Sequence, residues 1–393
     1  MLLSVDSERV LTRPFVLVLC VQFCFGLSYS TFFLLPKFLT QQFHESPATI
    51  GAVAASALLA GVLASPWTGA WLDRGSRRPL ITYGAVVNGL SGCAFALVHQ
   101  VSWLIFVLRV VNGVSYALVF NGVVTVATDL APPRKLGQAI GLCGAASIVA
   151  NAIAPAIAEP VADNLGWGLV FLLAGGAALV AALLSRGIRE PERVAALDVH
   201  ADVAPSPSAL SLLRDPERLG AFVCAAANGA AFGAMFTFTQ PFALSLGGSK
   251  VSSFFLGYTV VALSVRLFLG HLADAWGRRR VALTGLVLYG FVASLTSLLQ
   301  PNLLFLSGAG LGLAHGLLYP SINALAAEGV PRARRGAVMS YFFGCFGAGS
   351  AIWVLGLGVV ARSYGYQVVF LATGVLAWSS IAFLHRKALG VSA

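Results

Sequence analysis

GHLADAWGRRR, residues 270–280, places one aspartate and three arginines within seven positions of a 393-residue chain in which only 10% of residues are charged. A related phrase, GAWLDRGSRRP, stands at residues 69–79. The hydrophobic fraction is 58% and the mean hydropathy is +0.84. Soluble domains contain about 45–50% apolar residues. A water-soluble fold could not hide this much apolar surface, so lipid is the expected solvent. The charged phrases are then expected at the water-facing ends of spanning segments.

Working outward from them, apolar runs broken by charged or Gly/Pro-containing stretches give twelve expected spans. They cover 14–36, 48–70, 80–98, 102–126, 137–159 and 167–186, then 217–243, 251–272, 281–299, 302–327, 336–361 and 366–385. Breaks as short as His99 to Val101 make neighbours antiparallel. The longest polar stretch, Gly187 to Pro216, reads as a linker. The expected organisation is an all-α membrane protein with a six-helix unit at 1–186, a cytoplasmic linker at 187–216 and a second six-helix unit at 217–393. No secretory signal pattern opens the chain: Asp6 and Glu8 interrupt it and the first apolar run is long enough to span.

Charge placement orients the spans. With the N-terminus inside, 20 of the 25 Lys and Arg residues fall on the cytoplasmic side, among them Arg74, Arg77, Arg78, Arg278, Arg279, Arg280, Arg334 and Arg335. Lys37, Lys250 and Arg362 fall outside, and Arg109 and Arg266 lie within spans. This asymmetry predicts both termini in the cytoplasm of a multi-pass protein of the plasma or inner membrane. It also accounts for the net charge of +10 without nucleic acid. The six cysteines sit in apolar runs without metal-ligand spacing, so neither a disulfide nor a metal site is expected.

The two charged phrases follow the second and eighth spans. A second echo follows the fourth and tenth: DLAPPRKLGQA and EGVPRARRGAV both set an acid three residues before proline and eight before glycine (Asp129, Pro132, Gly137; Glu328, Pro331, Gly336). The chain therefore reads as a duplicated six-helix unit, a pattern of secondary transporters. GHLADAWGRRR resembles the signature loop of the major facilitator superfamily, G-x-L-x-D-x-x-G-R-R, through Gly270, Leu272, Asp274, Gly277, Arg278 and Arg279. GAWLDRGSRRP matches through Gly69, Asp73, Arg77 and Arg78. It departs at Trp71 and at Ser76, where the adjacent Gly75 is expected to supply the turn. RVVNG at 109–113 resembles the superfamily's helix-four element through Arg109 and Gly113. The resemblance spans essentially the whole chain and implies the twelve-helix, two-bundle fold.

The loops also have a physical reading. Glycine allows close helix approach, and arginines hold the loop at the cytoplasmic surface. Helix N-termini carry partial positive charge. Asp73 is thus expected to clamp helix eleven and Asp274 helix five when the cytoplasmic side closes, which is the role the resemblance implies. Asp129 and Glu328 are expected to pair with nearby loop arginines. The charges read as a conformational latch, against the alternative that they serve topology alone.

The resemblance implies a central cavity lined by helices one, four, seven and ten. Their polar residues recur at helical spacing: Gln22 and Tyr29; Arg109 and Tyr116; Asn228 and Gln240; His315, Tyr319 and Asn323. For each amide or tyrosine an ordinary interhelical hydrogen bond is the competing reading. Phe232 and Phe236 read as packing. Arg109 lies about 10 Å inside its span, where a charge is expensive and usually functional; snorkelling to the outer surface is the alternative. Arg266 reads either as a cargo contact or as reaching the cytoplasmic headgroups. Its spacing to Gly270 and Asp274 resembles the monocarboxylate-type branch, where the arginine meets an organic anion. His315 reads either as a proton or substrate group or as a hydrogen-bonded structural histidine.

Helices one, four, seven and ten carry no acid within the membrane, since Asp129 and Glu328 stand at cytoplasmic ends. Glu159, at the outer end of helix five, is the acid nearest to the core; it reads either as a proton group or as simply facing water or headgroups. The pattern disfavours cationic cargo and predicts a small neutral or anionic organic solute. A proton gradient is the expected driving force, with His315, Glu159 or the cargo carrying the proton. The chain is expected to act as a monomer in the bilayer, without cofactor. HExxH, GxSxG and P-loop motifs are absent, which argues against an enzyme or an ATP pump. The alternatives are an efflux proton antiporter for drugs or metabolites, and a non-transporting receptor or regulator. The second would be expected to carry a signalling domain.

Overall fold

Within lipid no water is available to satisfy backbone N–H and C=O groups, so apolar segments must close their hydrogen bonds internally, as helices. The computed structural model describes residues 10–132, 135–190, 216–330 and 332–385; the side chains of residues 73, 74, 216, 217, 274, 332–337 and 385 lie outside that description. The helices are α1 (Arg13–Thr31), α2 (Leu35–Phe43), α3 (Pro47–Arg74), α4 (Arg77–Ala94), α5 (Trp103–Leu130), α6 (Leu136–Leu165) and α7 (Trp167–Ser185). After the linker come α8 (Pro216–Ser245), α9 (Ser252–Phe268), α10 (Leu272–Ala275), α11 (Arg278–Thr296), α12 (Leu304–Ala326), α13 (Arg332–Tyr364) and α14 (Tyr366–His385).

Among the described residues, ten helical stretches are long and apolar enough to cross a membrane by length and composition. Two expected spans are less apolar or shorter: α9 has 17 residues, and α11 opens on three arginines. Large apolar side chains such as Leu90, Leu183, Leu295 and Ile352 point outward, as a lipid-facing surface requires. Trp103 and Tyr364, at helix ends, are 75% and 73% exposed, which suits the aromatic belt of a membrane interface.

The first span is longer than expected. It runs from Arg13 to Phe43 through a single 3-10 turn at Phe32–Leu34. Pro36 does not end it, because proline in the first turn of α2 lacks only an N–H that would be unmet there anyway. Lys37, expected on the outer surface, is therefore inside the fold: it is fully buried, and its Nζ donates to the carbonyl of Ser249 at 3.0 Å.

The described residues form two compact units, residues 10–35 with 60–190, and residues 36–59 with 216–385. Residues 36–59 thus fold with the second unit. Besides Lys37, close backbone approaches hold them there: a Cβ on Gly51 would lie 2.8 Å from the carbonyl of Val354, and one on Gly358 would lie 2.8 Å from that of Pro47.

The duplication is visible in the packing within each unit. In the first, α1 packs on α5, α6 and α7, and α4 packs on α5 and α7. In the second, α8 packs on α12, α13 and α14, and α11 packs on α12 and α14. These are the same five pairings, six spans later. Between α3 and α5, Gly61 faces the carbonyl of Gly113.

Candidate functional site

In the first unit, Arg109 lies within α5 and is 6% exposed. Its guanidinium sits 5.5 Å from the centre of the Phe32 ring and interacts electrostatically with Tyr29. Nε and Nη1 are buried without a hydrogen-bond partner. The snorkelling alternative is not realised for these atoms. Tyr29 stacks on Tyr116 at 4.1 Å, and Phe25 and Phe120 extend the stack. Gln22, by contrast, ties α1 to α6: its Nε2 donates to Ser147 Oγ at 2.7 Å, beside a similar bond from Ser30 to Asn151.

Sequence reasoning missed a polar chain next to Arg109. Asn112 Nδ2 donates to Asn88 Oδ1 at 3.1 Å, and Asn88 Nδ2 donates to Ser28 Oγ at 3.0 Å. Both asparagines are fully buried. The signal available was two lone amides in apolar helices. Glu159 is a correction: it is 2% exposed, not facing water or headgroups. It lies one turn after Pro155 in a helix that stays continuous through Pro155 and Pro160, so the packed face of α6 carries it inward.

In the second unit, His315 is 5% exposed and its Nδ1 lies 3.2 Å from Asn228 Oδ1. With the amide in this orientation Nδ1–H donates and Nε2 is left for another partner. Tyr319 stacks on the imidazole at 5.2 Å and Phe232 lies at 5.0 Å. Nδ2 of Asn228 and Nε of Arg266 are buried without a partner. Gln240 is drawn away from this group, its Nε2 donating to Phe236 O of its own helix at 2.9 Å. Asn323 is half-buried, eight residues along α12 from His315, and is not among the groups around it.

The charged loops pair as their spacing predicts. Arg77 forms a salt bridge with Asp129, and the equivalent Arg278 approaches Glu328 at 3.8 Å. The side chains of Asp73 and Asp274, on which the clamp expectation rests, lie outside the described residues, as do those of Arg334, Arg335 and Gly336. The two loop copies turn differently. Gly277 adopts φ +87°, a conformation open to glycine, and precedes α11. Ser76 takes its place at φ −64°, and Gly75 does not adopt a positive φ. Instead Glu190, from the start of the linker, meets the N-terminus of α4. Its Oε1 accepts from Ser76 Oγ at 2.6 Å and from Arg78 N–H at 2.5 Å. Burial raises the proton affinity of Glu190, but the bonds from Ser76, Arg78 and Arg77 outweigh it and hold the carboxyl below its ordinary range. Among the described residues no group of three or more His, Cys, Asp or Glu is placed to hold a metal.

Two packed helical units with a repeated signature loop and buried, unpaired cationic donors define a membrane transporter of solutes. The model of the Major Facilitator Superfamily matches residues 18–265 and 243–388, so the chain belongs to that superfamily. It is 26% identical over 344 residues to the multi-drug resistance efflux pump PmrA of Streptococcus pneumoniae, covering 84% of each chain. It is 27% identical over 350 residues to an uncharacterized MFS-type transporter of Mycobacterium tuberculosis, covering 84% of this chain and 82% of that one. The crystal structure of a point mutant of the nucleoside transporter NupG superposes with a TM-score of 0.79 at 16% identity, covering 94% of this chain and 100% of that one, which establishes the fold.

Proposed function

We propose that this transporter moves a small neutral or anionic organic solute across the cell membrane, coupled to protons, with both termini in the cytoplasm and without enzymatic activity. The observation that carries the cargo class is Arg109. A buried guanidinium with two unmet N–H groups, in an apolar helix, favours an anionic or acceptor-rich group. Arg266 adds an unmet donor of the same kind in the second unit. The cation asymmetry of the loops supports the orientation.

One observation favours a second reading, drug efflux by proton antiport. Glu159 is a carboxyl group buried within α6, able to take up and release a proton, and the pneumococcal relative is named as a multi-drug efflux pump. The deciding experiment uses purified protein in liposomes loaded with a pH dye. A panel of small acids, neutral metabolites and lipophilic cations is offered under imposed pH gradients. Proton movement that needs both protein and an acid supports the proposal; a response confined to cations supports efflux and overturns it. Arg109→Ala is expected to lower the apparent affinity for an acidic cargo by one to two orders of magnitude, the worth of a hydrogen bond to a charged group. Wild-type kinetics in that variant would remove Arg109 from recognition.

A further inference from the structure

The second unit contains a ring cluster that packing alone does not explain. Five aromatic rings lie within 5.0–6.5 Å of His315, centre to centre: Phe232, Tyr258, Tyr289, Tyr319 and Phe346. They come from α8, α9, α11, α12 and α13, so α12 and the four helices packed on it each contribute one. Tyr258, Tyr289 and His315 are buried, whereas Phe232, Tyr319 and Phe346 keep part of their surfaces open. The same cluster contains unmet polar groups. Asn228 Nδ2, Tyr289 Oη and Arg266 Nε are buried with no partner, and Asn228 and Tyr289 are at most 1% exposed. The charge of Arg266 reaches His315, Tyr258 and Tyr319.

Each of the three unmet groups can donate, the Tyr289 hydroxyl being able to accept as well. A region that only packed rings would do better with apolar side chains in their place, because an unmet buried donor is costly. A group of partly exposed rings favours a flat π-system. Donors backed by a guanidinium select an acceptor-rich, negatively charged group. We propose that this cluster is a binding site for a planar aromatic acid, with Phe232, Tyr319 and Phe346 against its ring and the donors of Asn228, Tyr289 and Arg266 toward its acidic group. The inference rests on the transporter reading above and narrows its cargo to aromatic acids.

The test is equilibrium binding to the purified full-length protein by calorimetry. The probes are benzoate and 2-naphthoate, cyclohexanecarboxylate as the saturated acid, and benzyltrimethylammonium as the aromatic cation. At least one aromatic acid is expected to bind about tenfold more tightly than the saturated acid, the scale of a few ring contacts, and the cation is expected to bind more weakly still. Phe232→Leu is expected to bring that ratio close to one while leaving thermal unfolding unchanged. Phe346→Leu is the second variant should the first fold poorly. Equal binding of aromatic and saturated acids, preference for the cation, no saturable binding of either aromatic acid, or an intact ratio in both well-folded variants would overturn the proposal. Binding is read without a gradient, so the two readings fail separately. Aromatic acids that bind but are not moved in liposomes would sink transport of this cargo and keep the site; acids moved without aromatic preference would sink only the site.

Discussion

Arg109 and Glu190 show how differently a single charge behaves at two depths of the same unit. An arginine at the centre of a spanning helix costs about 2.5–3.5 kcal/mol on insertion scales, and a ring returns about 2 kcal/mol to a desolvated cation. The Phe32 ring offsets charge but meets neither Nε–H nor the Nη1 protons of Arg109. Those unmet donors are why the residue is proposed to face the cargo. Glu190 lies in water-accessible chain and does a different job: it supplies acceptors to N–H groups that helix α4 cannot satisfy itself. Its carboxyl is held below the ordinary range, so its contribution is full above the unfolded value and is lost as pH falls through the folded one. Hydrogen exchange at the amides of Arg77 and Arg78, corrected for its intrinsic pH dependence, should accordingly lose protection on acidification below the usual carboxylate range. In Glu190→Gln it should already be faster at neutral pH, and equal protection in the two proteins there would dismiss the cap.

At the scale of elements, the α8–α13 pair sets the spacing of the ring cluster. A methyl on Gly229 would overlap the carbonyl oxygen of Phe346, and one on Gly349 would overlap that of Ala226. These contacts bring the two backbones together and leave Phe232 and Phe346 at 5.9 Å. Gly229→Ala must push a backbone aside, at a cost of about 1–3 kcal/mol or more. It is expected to lower the unfolding temperature in detergent and to weaken ligand binding with it. Gly356→Ala, on the same α13 but facing open space, should unfold as wild type does. Matching unfolding curves for both variants would refute the close-packing account. The first span gives the complementary case, because its 3-10 turn and early proline extend the helix where composition suggested an end.

For the whole molecule, the repeat is the organising fact. The same five helix pairings recur in both units, and Arg77 with Asp129 corresponds to Arg278 with Glu328. The exposed pair of Arg278 with Glu328 contributes little to stability, about 0–1 kcal/mol, whereas Arg77 is more buried in its pair. The proposed value of both pairs is conformational: they fix the loops that carry Asp73 and Asp274, so that the aspartates bias which side of the membrane is open. Asp274→Asn is then expected to slow transport severalfold while membrane insertion and abundance stay near wild type, as judged by liposome flux and fluorescence-detected size exclusion. Normal flux would demote the latch to a topology signal.

The sequence by itself determined the helical, membrane-spanning class, the duplication, the superfamily and which loop arginines face an acid, though not every span's end, because these rest on local hydropathy, motif spacing and short-range charge. It also picked out Arg109, His315 and Asn228, since isolated polar residues stand out in apolar helices. Only the tertiary structure decided which of them meet. Periodicity says that residues share a face, not which helix covers it. The inward turn of Glu159, the burial of Lys37, the Asn88–Asn112 chain and the gathering of five rings at His315 depend on segments distant in sequence packing side by side. The same holds for Glu190, whose partners at Ser76 and Arg78 lie 114 and 112 residues away. No spacing rule reaches that far, because the contact is made by the fold bringing two loops to one helix end.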